Sequence, residues 1–261
     1  MSIHPLALVD PRARLGSGVR VGPWAIIEAG VELGDEVEIG PHCAILGDTR
    51  LGPRCVLTAH VVLGAPAQDR KYRGEPSRLE IGAANTFREY STAHRGTGEG
   101  GCTRVGDGGL FMVGSHIAHD CQIGDQVVMA NHVALAGHVE IGSQAVIGGL
   151  AAVHQHCRIG RLAMVGGGAM VAQDVPPFSL AQGDRARLLG LNRTGLERAG
   201  WGPEALRALQ LRWRAVVQRP RRSPEELRAQ FDDDGMMEEL LAFRESSARG
   251  LCRVGSSAGE A

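Results

Sequence analysis

The chain has 261 residues and a formal net charge of −1, with 28 lysines and arginines against 29 aspartates and glutamates, so no global basic field argues for a nucleic-acid partner. No cationic start followed by an apolar core marks a leader, and no apolar run reaches membrane-spanning length; a cytoplasmic protein without membrane insertion is expected. Aromatic residues make up only 4% beside 37 glycines, and Lys71 is the single lysine, a compact ammonium in a chain that otherwise uses arginine.

From Ile3 an aliphatic residue recurs every sixth position: Val9, Leu15, Val21, Ile27, Leu33, Ile39, Ile45, Leu51, Leu57 and Leu63. The phase resumes at Ile81 and Phe87 and runs from Val105 through Ile117, Ile123 and Leu135 to Val171. A small or β-branched residue follows four positions later, as at Ala25, Val31, Val37, Cys43, Val127 and Val133, and glycine often stands directly after the aliphatic, as at Gly16, Gly22, Gly34 and Gly40. A period of six suits neither a helix nor a free strand, but it suits a parallel β-solenoid in which three hexads close one triangular coil. Residues eighteen apart then stack at about 4.8 Å. The aliphatic and the small residue are expected to point inward, with glycine relieving the backbone at each turn. Cys43, Cys55, Cys121 and Cys157 fall on inward positions and read as reduced core residues.

Two stretches interrupt the repeat. Gly64–Leu79 is polar and turn-rich and is expected to replace about one coil, because Leu63 and Ile81 keep the phase eighteen residues apart. His94–Arg104 is glycine-rich and again keeps the phase. Coils are expected to run to Val175 and to stop at Pro176-Pro177. From about Leu188 the pattern turns helical: Asn192 caps a short helix ending near Gly200, Pro203 opens a helix through Gln218, Ser223-Pro224-Glu225-Glu226 starts another, and Met236–Ser246 forms the last. The expected organisation is a β-solenoid over 1–187, a helical cap over 188–253 and a disordered tail over 254–261.

The candidate chemistry lies in Val113–Cys121, where His116, His119 and Asp120 crowd together. A histidine with a neighbouring carboxylate suits proton transfer near neutral pH. Asp120, His138 and His156 are successively eighteen apart, which predicts a ridge of imidazoles up one edge of the prism. His119 takes the third place of its hexad, between Ile117 and Cys121, and is expected to face outward.

Six motifs then carry a resemblance over nearly the whole chain: His116-Ile-Ala-His119-Asp120-Cys121, Leu135-Ala-Gly-His138, Val153-His154-Gln155, Gln68-Asp69-Arg-Lys71-Tyr72, His94-Arg95-Gly96-Thr97 and Ala172-Gln173-Asp174-Val175-Pro176-Pro177. With them the sequence resembles the bacterial UDP-N-acetylglucosamine O-acyltransferases that begin lipid A synthesis. The resemblance implies a mainly β, left-handed parallel β-helix with a C-terminal α-helical domain. It implies a homotrimer with active sites between subunits, and transfer of a 3-hydroxyacyl chain from acyl carrier protein to the sugar 3-hydroxyl of UDP-N-acetylglucosamine. It places the general base on His119, its orienting carboxylate on Asp120 and the oxyanion donor on the backbone of Gly137. Asp69, Lys71, His116, His138, His154, Gln155, Asn192 and Arg198 match substrate-binding positions, and Gly167 matches the acyl-chain ruler. No metal and no bound cofactor are implied, the pantetheine arm arriving with its carrier protein. Thr194 and Ala199 depart from residues common near the nucleotide, and Gly114-Ser115 is a further variant. Arg207, Arg212, Arg214, Arg219, Arg221 and Arg222 form a basic stretch suited to an acidic carrier protein. Two other readings are open: the related N-acyltransferase, which carries an additional N-terminal domain whereas coils here start at Ile3, and a γ-type carbonic anhydrase with His94, His116 and His119 on zinc.

Overall fold

A computed structural model describes residues 1–218, 222–231 and 235–255. Three long sheets of eleven, nine and eight strands form the walls of a triangular left-handed β-helix, each strand pairing with the one three places later in the chain until the last two pairs of the first sheet. The first sheet begins at Ser2–Ile3, the second at Leu8–Val9 and the third at Arg14–Leu15. All pairs are parallel except the last, in which Arg187–Leu191 runs antiparallel to Ser179–Gln182. The core is the stacked hexad set, with Ile27, Ile45, Leu57, Ile117 and Leu135 alternating with Ala25, Val31, Val37 and Cys43, all fully buried. All six cysteines are buried and unpaired.

Glycine after the aliphatic is not the turn residue. The left-handed corner is taken by the residue three places beyond the aliphatic, and it is mostly not glycine: Trp24, Glu36, His42, Asp120, His138 and His156 all have φ between 57° and 60°. Each such corner is held by the coil before it, as where the His42 amide donates to the Pro23 carbonyl at 3.1 Å. Glycine is needed two residues earlier because the coils lie so close: a Cβ on Gly40 would fall on the Thr58 carbonyl oxygen.

Proline explains a second difference. Pro23, Pro41 and Pro53 directly precede the left-handed residues Trp24, His42 and Arg54, the arrangement of a type II turn. Pro177 stands in the same relation to Phe178, so it makes one more corner rather than ending the repeat. Ser179–Gln182 continues the first sheet, and Leu188 lies in a strand, not at the start of a helix. Val254, assigned to the tail, bridges to Leu188, and 256–261 lie outside the described residues.

The Gly64–Leu79 stretch does not stand in for a coil. Leu51 pairs with Ile81 and Leu57 with Phe87, so the strands on either side of the loop are consecutive and the excursion is extra chain. His94–Arg104 behaves alike, with Ile81 paired to Val105. Both excursions leave the prism between the second and third sheets.

Among the described residues four α-helices follow: α1 Arg193–Arg198, α2 Pro203–Trp213 continuing as a π-helix over Arg214–Gln218, α3 Pro224–Gln230 and α4 Met236–Glu245. Asn192 caps α1 by accepting from the Gly195 amide, and Ser223 with Glu226 forms a capping box on α3. Leu206, Leu209 and Trp213 of α2 and Met237, Leu240 and Leu241 of α4 are buried, and the Trp213 indole donates to Ser179 at 2.8 Å. The helices are tied to the last coils, where Arg161 makes a bidentate pair with Glu239 of α4.

Candidate active site

The corner geometry builds the site. Asp120 occupies the left-handed position of its coil on the edge between the second and third sheets, and His138 and His156 take the same position on the next two coils. The His138 and His156 rings stack at 4.5 Å, and His119 meets His138 edge to face at 5.1 Å.

His119 and Asp120 form a hydrogen-bonded pair, Nδ1 to Oδ2 at 2.9 Å. An ionised carboxylate only accepts, so the Nδ1 proton sits toward Asp120 and leaves Nε2 with its lone pair available. Asp120 is held from three sides. The Thr97 amide reaches both carboxylate oxygens at 3.0 and 3.1 Å, the Thr97 hydroxyl donates to Oδ2 at 2.6 Å, and the Asp120 amide donates to the Thr103 hydroxyl at 2.7 Å. Burial works to raise the Asp120 pKa, but the hydrogen bonds from Thr97 and His119 overcome it and hold the carboxyl below its ordinary value. The glycine-rich excursion therefore delivers the clamp on the carboxylate. Neither Thr97 nor Thr103 had been assigned a role from sequence: loop residues carry no period that would align them with Asp120.

His119 does leave the prism outward, yet it is not solvated: with Asp120 clamped to the loop, only 9% of His119 is exposed. Its ring lies against the corner of the next coil, where a Cβ on Gly137 would stand 2.6 Å from Nε2. Among the described backbone hydrogen bonds none is donated by Gly137, while the neighbouring His138 amide is spent on the His119 carbonyl at 3.0 Å. A lone pair and an uncommitted N–H thus lie side by side. Gly137→Ala is expected to displace the imidazole and cut turnover roughly a hundredfold or more, the size of a general-base contribution, without loss of the fold. Ordinary kinetics in that variant, with the ring still in place by crystallography, would count against the pairing.

His116, on the outer face of the second sheet, bonds Thr92 through Nδ1 at 2.7 Å and meets His94 edge to face at 4.9 Å. Burial, with His116 and His119 adding to it, pushes His94 down to about 4, and burial also lowers His116 and His138. These imidazoles are neutral near pH 7 and can accept as well as donate. Between about 4 and the ordinary 6.5, an unfolded His94 takes up a proton that the folded one refuses. The unfolded chain then binds more protons, so stability falls as pH drops through that window. Melting curves across pH 7 to 4 should show the loss, and His94→Gln should flatten it.

Asp69, in the first excursion, is near enough to act electrostatically on His138 and accepts from the Lys71 amide at 2.8 Å; Lys71 itself is exposed. His154 and Gln155 lie on the same edge above His138, and His154 lines a cavity of about 460 Å³ with Met170, Arg185 and Arg249. The other predicted residues are not brought here within one chain. Gly167 is on the edge between the first and second sheets. Asn192 is buried, its amide nitrogen on the Leu162 carbonyl and its oxygen on the Gly195 amide, and Arg198 is exposed at the end of α1. Among the described residues, the group whose donor atoms converge is His119, Asp120 and His138, not the His94, His116 and His119 set of the anhydrase reading. A cleft of about 680 Å³ between the third sheet and α4 holds none of the predicted residues.

A family profile described as UDP-N-acetylglucosamine O-acyltransferase, domain 2, matches residues 174–252. The chain is 45% identical over 260 residues to the acyl-[acyl-carrier-protein]–UDP-N-acetylglucosamine O-acyltransferase of Paraburkholderia xenovorans, covering 96% of this chain and 99% of the relative. It is 41% identical over 255 residues to the protein of that name from Thermodesulfovibrio yellowstonii, with the same coverage. Among solved structures, UDP-N-acetylglucosamine O-acyltransferase from Moraxella catarrhalis superposes with a TM-score of 0.91 at 37% identity, over 97% of this chain and 100% of the other. The acyltransferase of Francisella novicida gives 0.91 at 31% identity, over 98% and 95%.

Proposed function

The chain belongs to the acyl-[acyl-carrier-protein]–UDP-N-acetylglucosamine O-acyltransferase family, and from that premise we propose that it transfers a 3-hydroxyacyl chain from acyl carrier protein to the 3-hydroxyl of UDP-N-acetylglucosamine, the first step of lipid A synthesis. The observation that carries the mechanism is the His119–Asp120 pair lying over Gly137. His119 Nε2 takes the proton of the sugar hydroxyl as its oxygen attacks the thioester carbonyl. The carbonyl oxygen becomes an oxyanion and accepts from the Gly137 amide. Collapse breaks the carbon–sulfur bond, and the pantetheine thiolate takes the proton back from His119. Asp120 stays ionised, fixes the tautomer and steadies the imidazolium. No step calls on a metal or bound cofactor, and turnover is expected without either. Assay of the purified protein with UDP-N-acetylglucosamine and 3-hydroxyacyl carrier proteins of graded length tests the reading. The 3-O-acyl product is expected, and no transfer to the sugar from any donor would overturn it.

We also propose a homotrimer. The edge between the first and second sheets exposes Leu6, Trp24, Tyr90 and Leu150, and the adjoining outer face of the second sheet exposes Leu8, Ile26 and Met170. A row of large apolar groups facing water is costly and marks an interface. The third sheet instead carries an ion-pair ladder, Arg14–Glu32, Arg104–Glu80 and Arg158–Glu140, and suits solvent. Gly167 lies on the apolar edge, so a second copy seated there would set it against a neighbour's histidines. Sedimentation at micromolar concentration should give a trimer; a fully active monomer would defeat the idea.

For the carrier protein, exposed Arg207 and Arg214 on the helical region are the candidates for steering an acidic partner. Arg212 bonds the Ala208 carbonyl and stacks over Phe231, and Arg222 bonds Gln230. Arg219 and Arg221 lie outside the described residues. No helix among the described residues is long and apolar enough to cross a membrane, and a cytoplasmic location is part of the proposal.

A further inference from the structure

The Asp120 carboxylate is approached by two imidazole nitrogens, not one. His119 Nδ1 lies 2.9 Å from Oδ2 and His138 Nε2 lies 3.7 Å from the same oxygen. One donor atom from each of the three residues falls within 4.8 Å of the others. Two imidazoles and a carboxylate are the ligand set of an open zinc site, with bonds of about 2.0–2.2 Å and donor atoms therefore about 3.3 Å apart. The His119–Asp120 separation is already shorter than that. His138, with 40% of its side chain exposed, is the ligand with room to swing inward, and it opens a path from solvent. The carboxylate also has outer partners to hold it, since the Thr97 amide and hydroxyl donate to it.

We propose that His119, Asp120 and His138 form a site for a divalent transition-metal ion of the zinc class, and that the ion switches the enzyme off by occupying its base. Binding takes the Nδ1 lone pair of His119 into a metal bond. The ring proton, which sat on Nδ1 toward Asp120, moves to Nε2, and no proton is lost overall. Nε2 then carries a hydrogen where the sugar hydroxyl needs an acceptor, and the carboxylate's charge is spent on the ion. The His119–Asp120 pair thus serves either proton transfer or, with His138, metal binding, never both at once.

Binding can be read without any assay of acyl transfer. Full-length protein, stripped with a chelator, is titrated with Co²⁺, and a visible spectrum of low-symmetry nitrogen–oxygen coordination is expected at one ion per chain. His138→Ala and Asp120→Asn should each weaken that binding by more than the roughly 10–100-fold that loss of an outer partner costs. His132→Ala, on another edge of the prism, should leave it unchanged. Only the spectrum of the hydrated ion, or an unaltered spectrum in His138→Ala protein of intact fold by circular dichroism, would overturn the site. The inhibitory half rests on His119 being the base: Zn²⁺ at saturation should suppress turnover at least about tenfold, a modest share of a general-base contribution, and chelator should restore it. Full turnover with the site occupied would overturn that half. A protein inactive on UDP-N-acetylglucosamine that still gave the Co²⁺ spectrum would instead place the failure in the proposed reaction.

Discussion

His119→Ala is expected to keep the coil and lose at least about a hundredfold in kcat, within the usual 10²–10⁴ of a general base. The stability side can be argued from the contacts. His119 contributes one hydrogen bond, to Asp120, and covers Gly137. Its removal leaves Asp120 with the Thr97 amide and hydroxyl, so no buried charge is stranded. One lost hydrogen bond is worth about 1 kcal/mol, which in a chain of this length shifts the melting temperature by roughly 2–4 °C. Asp120→Asn should lose less activity, because an amide oxygen at the Oδ2 position can still accept from Nδ1, though it no longer balances the imidazolium. His156 is stacked on His138 rather than isolated, so its replacement tests how far ring stacking positions His138. Ordinary turnover by His119→Ala protein with UDP-N-acetylglucosamine would remove the mechanism.

The periodic part of this structure was open to reading because each hexad repeats one physical solution. The eighteen-residue spacing placed Asp120, His138 and His156 in one column, and the aliphatic phase identified the core. What escaped was whatever the period does not encode. A loop whose length is a multiple of six keeps the phase whether it replaces a coil or adds to the chain, and strand pairings such as Leu51 with Ile81 and Leu57 with Phe87 separate the two. Pro176-Pro177 looked like a stop because proline breaks ladders, yet Pro177 stands before a left-handed corner, where its fixed φ belongs. Glycine after the aliphatic suggested a turn, whereas Gly40 answers to the Thr58 carbonyl in the next coil. Thr97 reaches Asp120 from 23 residues away through a loop, a relation no spacing rule contains. Asn192 was legible twice over, as a helix cap and as a match to a nucleotide contact, and its two hydrogen bonds show only the first.

Gly167→Met is expected to turn the enzyme from longer 3-hydroxyacyl donors to ten-carbon ones, and its position makes the test a demanding one. The backbone at Gly167 takes a side chain with a small adjustment: a Cβ there would meet the Gly149 carbonyl oxygen at 3.3 Å, slightly tighter than an ordinary contact, and the residue does not need a left-handed φ. The new side chain would project from the edge between the first and second sheets, whereas His119 sits on the edge between the second and third. Within one chain, a methionine on that edge has no means of touching an acyl group bound for His119. In the proposed trimer, with the apolar edge of one copy set against the histidine ridge of the next, the same methionine would close the far end of the acyl channel. Each methylene it excludes forfeits about 0.8 kcal/mol of burial, so a channel shortened by three or four methylenes should shift the ratio of kcat/KM between long and short donors by roughly two orders of magnitude. Competition between ten- and fourteen-carbon donors on the parent and the variant reads this directly. An unchanged ratio in a variant that still sediments as a trimer would mean that the acyl chain ends elsewhere.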